Sequence, residues 1–132
     1  MIAEEKSKRN IHMEAVVLES VFDLKAFQAE QREWSERNFG GKYGSGYRPL
    51  LGALEELGEL AHAHLKSEQG IRNTECHAAA KRDAVADVII YLADYCSNEG
   101  IDLEAALRET WLRVRSRDWK RNPDDAHKKE SE

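Results

Sequence analysis

Apolar residues recur along this chain at the three- and four-residue spacing of α-helices. The first run passes from Ala15 through Val17, Leu18, Val21, Leu24, Phe27 and Trp34. It predicts a long first helix, kinked near Ser20 or Asp23 and ending near Asn38. Glycines 40, 41, 44 and 46 then interrupt regular structure between Phe39 and Arg48, and they match no phosphate-loop pattern. The second run predicts a helix from Pro49 to about Ser67. Its broad apolar stripe is Leu50, Leu54, Leu57, Ala61 and Leu65, the face expected to be buried. Pro49 suits a first helical turn, and Gly70 is a stop. The third run, Ala78 to Cys96, is apolar nearly all round, as a buried helix is. Thr74 is its candidate N-cap, and it ends near Asn98 with Gly100 after it. Asp102 caps a fourth helix with Glu104 in its first turn and a stripe of Leu103, Leu107, Trp111 and Val114. No strand-like alternation and no internal repeat is present. The expected architecture is all-α, a four-helix bundle with connections short enough for antiparallel neighbours.

Residues 1–12 are polar and predict a flexible N-terminus, residues 13–121 the helical domain, and residues 122–132 a charged tail. A chain of 132 residues is one domain with room for a modest core. Its net charge of −5 argues against general nucleic-acid affinity, and no run suits a membrane span. Met1–Asn10 is too polar for a signal peptide. Cys76 and Cys96 lack motif spacing and are expected to be reduced thiols in or near the core of a cytoplasmic protein. Four short helices, one apolar all round, offer more apolar surface than a lone bundle of this size covers. A homo-oligomer, dimer or tetramer, is therefore expected, with the first or third helix as its interface.

Two carboxylate pairs carry the chemistry. Glu56 and Glu59 differ by about 60° around the second helix, and Asp83 and Asp87 by about 40° around the third. Each helix can point two carboxylates at one place. Like charges at this spacing weaken a helix, so the pattern calls for a cation, and oxygen-only ligands suit Mg²⁺ or Mn²⁺. Acidic residues on helices more often form a solvated face. Glu59, nearly opposite the leucine stripe, fits that bland reading by pattern. The third helix fits it less well, because Asp83, Asp87 and Asp94 share a narrow stripe of an otherwise apolar helix, and a buried carboxylate is paired or binds metal. His62 and His64 follow the Glu pair. No further ligands complete a tetrahedral set, so both are read as surface histidines.

Glu56-Leu57-Gly58-Glu59, within Pro49-Leu50-Leu51-Gly52-Ala53-Leu54-Glu55-Glu56, and Asp87-Val88-Ile89-Ile90-Tyr91-Leu92 together resemble the MazG-like all-α nucleoside triphosphate pyrophosphohydrolases. The likeness spans roughly Trp34 to Trp119. It departs from the family where a Glu usually stands three residues before the last Asp. Ala84 is there instead, and Asp83 is the nearest acid. The family's phosphate-contacting Lys and Asn on the last helix fall at Thr110 and Val114.

The resemblance implies Mg²⁺ (or Mn²⁺) held by Glu56, Glu59, Asp83 and Asp87, and hydrolysis of a nucleoside triphosphate to monophosphate and pyrophosphate. Glu55, Glu56 or Glu59 is the general base. Trp34 matches the family's aromatic near the base, Tyr91 is a hydrogen-bond donor to phosphate, and Arg115 or Arg117 takes over the last-helix phosphate contacts. Each has a plainer alternative: a core tryptophan, a core tyrosine, and a basic helix end that offsets the macrodipole. A competing reading of another class is a non-catalytic helical interaction or nucleotide-sensing module, to which the Ala84 departure lends weight.

Overall fold

The computed structural model describes residues 22–40 and 46–124. The expected helix start at Ala15, the residues 1–12 segment, glycines 41 and 44 and the end of the charged tail lie outside the described residues. Within them the chain forms four α-helices and no strand: α1 (Leu24–Phe39), α2 (Tyr47–Gln69), α3 (His77–Asn98) and α4 (Leu103–Arg115).

Local chemistry accounts for most of the helix ends. The expected helix before Phe22, Ser20 included, lies outside the described residues, and Asp23 is the N-cap of α1. Its carboxylate accepts from Lys25 N and Ala26 N at 2.8 and 3.1 Å. Phe22, just before the cap, packs on Phe27 with ring centroids 5.5 Å apart, a hydrophobic staple that fixes the entry direction of the chain. Asp102 caps α4 through Ala105 N at 3.0 Å. Those backbone donors, Ala105 foremost, hold the Asp102 carboxyl below the usual carboxylate range, with help from Lys25. Gly70 and Gly100 both take positive φ, and each closes a Schellman motif. Ile71 N reaches Lys66 O after α2, and Ile101 N reaches Cys96 O after α3, so the last carbonyls are satisfied. Thr74 does not cap α3. The helix begins three residues later, with Cys76 at the cap position and no side-chain bond. Pro49 sits in the first turn of α2, which starts two residues before it at Tyr47.

The helices α2 and α3 lie antiparallel along each other, whereas α1 packs on α3 and on α4. The side of α2 turned toward α3 is made of Pro49, Gly52, Ala53 and Ala63, all buried. Gly52 lies directly under the ring of Tyr91: a Cβ there would meet its ring carbon at 2.3 Å. Small residues let the two backbones approach closely, and the leucine stripe is thereby excluded from the contact. Leu50, Leu54, Leu57 and Leu65 are 39–63 % exposed, contrary to the expected burial of that face. Val85 and Ile89 of α3 and Leu107 and Trp111 of α4 are exposed as well. Among the described residues no Leu, Ile, Val, Phe, Tyr or Trp is fully buried, and the apolar interior is Ala53, Ala63, Ala84, Ala93 and Cys96 with Pro49. Cys96 is a buried thiol and Cys76 an exposed one, both free.

The α1–α3 contact is polar at its centre. Asp94 is buried. It accepts from the Ser35 hydroxyl at 3.2 Å and faces the Arg32 guanidinium at 4.0 Å. Arg32 also donates to Asn98 and to Glu36. Of the three aspartates on the α3 stripe, Asp94 is thus the paired one among the described residues. Gln28 ties α1 to the next turn, donating to Ile101 O at 2.8 Å and accepting from Leu103 N at 2.9 Å.

Candidate functional site

Antiparallel packing sets the middle of α2 against the first half of α3. There an open cleft of about 710 Å³ is lined by Glu55, Glu56, Glu59 and His62 from α2 and by Asp83 and Asp87 from α3. Both carboxylate pairs singled out in the sequence therefore face one space. Glu59 and Asp83 are exposed, and Glu56 and Asp87 are half-buried between the helices. Ala84, one residue after Asp83, is buried against α2 and supplies floor, not charge.

The electrostatics follow from this crowding. Partial desolvation, and after it repulsion from Glu59, Asp87 and Glu55, pushes the Glu56 carboxyl above the usual carboxylate range. A raised carboxyl favours its protonated form, so the ionised Glu56 of neutral pH works against folding, and that cost disappears as pH falls through its raised pKa. Two outcomes are expected in thermal melts without metal. At neutral pH, Glu56→Gln should melt above the wild type. The gap should then close as pH is lowered through the carboxylate range. Equal melting temperatures across that whole range would contradict the crowded arrangement.

The donor set has the chemistry of a site for a hard divalent cation: oxygen-only, anionic, and mutually repelling until a cation is added. Among the described residues, no three His, Cys, Asp or Glu side chains already converge closely enough to hold an ion. Ligation therefore requires carboxylates to turn inward from their present rotamers.

Two titratable lining residues were not singled out by the sequence. Glu75 and His77 close the end of the cleft nearest the α2–α3 connection. The His77 ring is tied through Nε2 to Ile71 O at 3.1 Å. Glu75 lies in the connection between α2 and α3, where no helical periodicity flags it. His62 reaches the cleft and His64 does not; His64 pairs with Glu68 at 3.5 Å on the surface.

The other expected substrate contacts are not gathered here. Tyr91 lies one turn beyond Asp87, its ring over Gly52. Trp34, on α1, is 45 % exposed and packs edge-on against Phe39. Arg115 ends α4, and Arg117 stands over the Trp119 ring. None of these four lines the cleft. No helix among the described residues is long and apolar enough to cross a membrane. Comparison of the chain with known protein families, with curated proteins and with solved structures finds no match.

Proposed function

We propose that this chain is a MazG-like, divalent-cation-dependent nucleoside triphosphate pyrophosphohydrolase, cytoplasmic and homo-oligomeric as a dimer or tetramer. One observation carries the reading. Glu56, Glu59, Asp83 and Asp87, from two antiparallel helices, line the same open cleft. They are the acids on which the resemblance rests, and the charge crowding at Glu56 is of the kind a cation relieves. Glu56, Glu59 and Asp87 would hold Mg²⁺, or Mn²⁺ in its place, with Asp83 completing the set. The bound ion would supply positive charge to the phosphate oxygens. From the chain itself, Glu55, Glu56 or Glu59 takes the proton of the attacking water. Trp34 stacks on the base, and Tyr91 with Arg115 or Arg117 holds phosphate oxygens. Because none of them lines the cleft within one chain, these contacts need a second copy or a closure of the cleft.

Hydrolysis should fall between the α and β phosphates. The chain contains no Gly-x-x-x-x-Gly-Lys-Ser/Thr loop for γ-phosphate handling, and no Cys or Ser in a nucleophile motif, so water attacks directly. Chromatography of a digested nucleoside triphosphate with Mg²⁺ should give the monophosphate and intact pyrophosphate, and labelled solvent oxygen should enter only one of them. Diphosphate and orthophosphate as main products would exclude this reading.

A further inference from the structure

We propose that the end of the cleft nearest the α2–α3 connection is a metal site of its own, distinct from that of Glu56, Glu59, Asp83 and Asp87. It would take a transition-metal ion of the Zn²⁺ class through His62, Glu75 and His77. The inference goes beyond the reading above and is independent of its chemistry.

The two ends of the cleft differ in chemistry. Along the antiparallel hairpin, Glu56 and Asp87 lie toward one end, and His62, Glu75 and His77 lie toward the connection, all lining one space. An oxygen-only set suits Mg²⁺, whereas imidazole nitrogen suits Zn²⁺ or Ni²⁺. Two His and one Glu are a recurrent three-ligand set for Zn²⁺, with the fourth tetrahedral position left to water. His62 has no second imidazole on the cleft flank of its own helix, since His64 does not reach the cleft. The hairpin supplies one from across the turn.

His77 is already held as a metal-binding ring is held. Its Nε2 lies 3.1 Å from Ile71 O. A carbonyl oxygen only accepts, so Nε2 carries the proton, and in the neutral ring Nδ1 keeps its lone pair. Metal-binding imidazoles commonly fix their other nitrogen in this way, often on a backbone carbonyl. Glu75 is brought beside His77 by an inverse γ-turn. His77 N donates to Glu75 O at 3.1 Å across Cys76, whose φ and ψ are −84° and 87°. Cys76 itself does not line the cleft, whereas both its neighbours do. Glu75 faces Arg72 at 3.8 Å, both side chains more than half exposed, and a surface pair of this kind is too weak to hold the carboxylate back. Among the described residues no three donors yet converge on one point. Binding therefore requires His62 and Glu75, both exposed, to turn toward the anchored ring of His77.

Calorimetric titration of the full chain with zinc chloride, in excess Mg²⁺, tests the site. One Zn²⁺ should bind per chain. His62→Ala and His77→Ala should each weaken binding by at least about 10-fold, the least that loss of even an outer-shell partner costs. His64→Ala should leave it unchanged, because His64 pairs with Glu68 on the surface. Cys76→Ser should also leave it unchanged, and Co²⁺ in place of zinc should show no thiolate-to-metal absorption. His77→Ala can disturb the start of α3 by freeing Ile71 O, so His62→Ala, at an exposed helical position, decides the result if the first variant loses its circular dichroism signal. A chain that binds no zinc overturns the proposal, as does zinc binding that survives His62→Ala. Binding lost instead in Glu56→Gln or in Cys76→Ser puts the ion on the carboxylates or on the thiol and overturns it too. None of these measurements uses a nucleotide. Hydrolysis without zinc binding therefore sinks this site alone, and zinc binding without hydrolysis sinks the enzyme reading alone.

Discussion

Glu56→Gln and Asp87→Asn should each lower turnover of a nucleoside triphosphate by more than about 100-fold while the helical circular dichroism signal stays intact. Changing residues that merely orient metal ligands costs about 10–100-fold, and these two are proposed to be ligands. Both substitutions keep size and remove charge, so the packing of α2 on α3 survives. Glu56→Gln should also melt higher than the wild type without metal, because its charge is crowded by Glu59, Asp87 and Glu55. Activity and stability would then move in opposite directions, as expected where charge is held for a ligand and not for the fold. Mg²⁺ should reverse the order of stability by binding the wild type more tightly. If both variants keep most of the wild-type rate, the assignment of Glu56 and Asp87 is wrong.

The second large effect is structural. Gly52→Ala should destabilise the protein by about 1–3 kcal/mol, the usual cost of overpacking an interior contact. On an exposed helix the same change stabilises by about 1 kcal/mol through helix propensity, so the two terms compete. Contact decides the sign, because the new methyl would lie 2.3 Å from a ring carbon of Tyr91 and 2.5 Å from two more. The ring cannot stay in place, and if it leaves, α2 parts from α3 beside Glu56. Tyr91→Ala in the same chain should recover part of the loss, so the double variant should be less destabilised than the sum of the singles. Gly58→Ala provides the contrast, since nothing lies within 4 Å of a Cβ there and propensity alone operates. Chemical denaturation of the wild type and the four variants checks the ordering. A neutral or stabilising Gly52→Ala would contradict the close approach of the two helices.

Much of this fold was legible in the chain. The helical class, the stops at Gly70 and Gly100 and the cap at Asp102 each have a local cause that one sequence displays. So do the two acid pairs, whose convergence needs only helical phase and an antiparallel turn. The burial of α2 was misread for a physical reason. Periodicity reports that Leu50, Leu54, Leu57 and Leu65 form one apolar face, not what lies against it. The residues that do meet α3, Gly52, Ala53 and Ala63, are too small to register as an apolar stripe. Thr74 failed as a cap because α3 begins only at His77. Glu75 and His77 entered the cleft through the closure of the hairpin, a tertiary event.

The two contacts made by α3 encode alignment in different languages. Against α2 it is set by size: only glycine leaves room at position 52 for the ring of Tyr91. Against α1 it is set by address. Sliding α1 by one turn would carry the Ser35 hydroxyl and the Arg32 guanidinium away from Asp94 and strand a buried carboxylate, a cost that broken buried ion pairs make severe. Away from position 52, drift in side-chain volume along the first seam is therefore tolerable if the total is conserved, whereas the second admits almost any apolar neighbour but a single register. A library that shuffles α1 against this scaffold would have to carry Arg32 and Ser35 together or lose Asp94 with them.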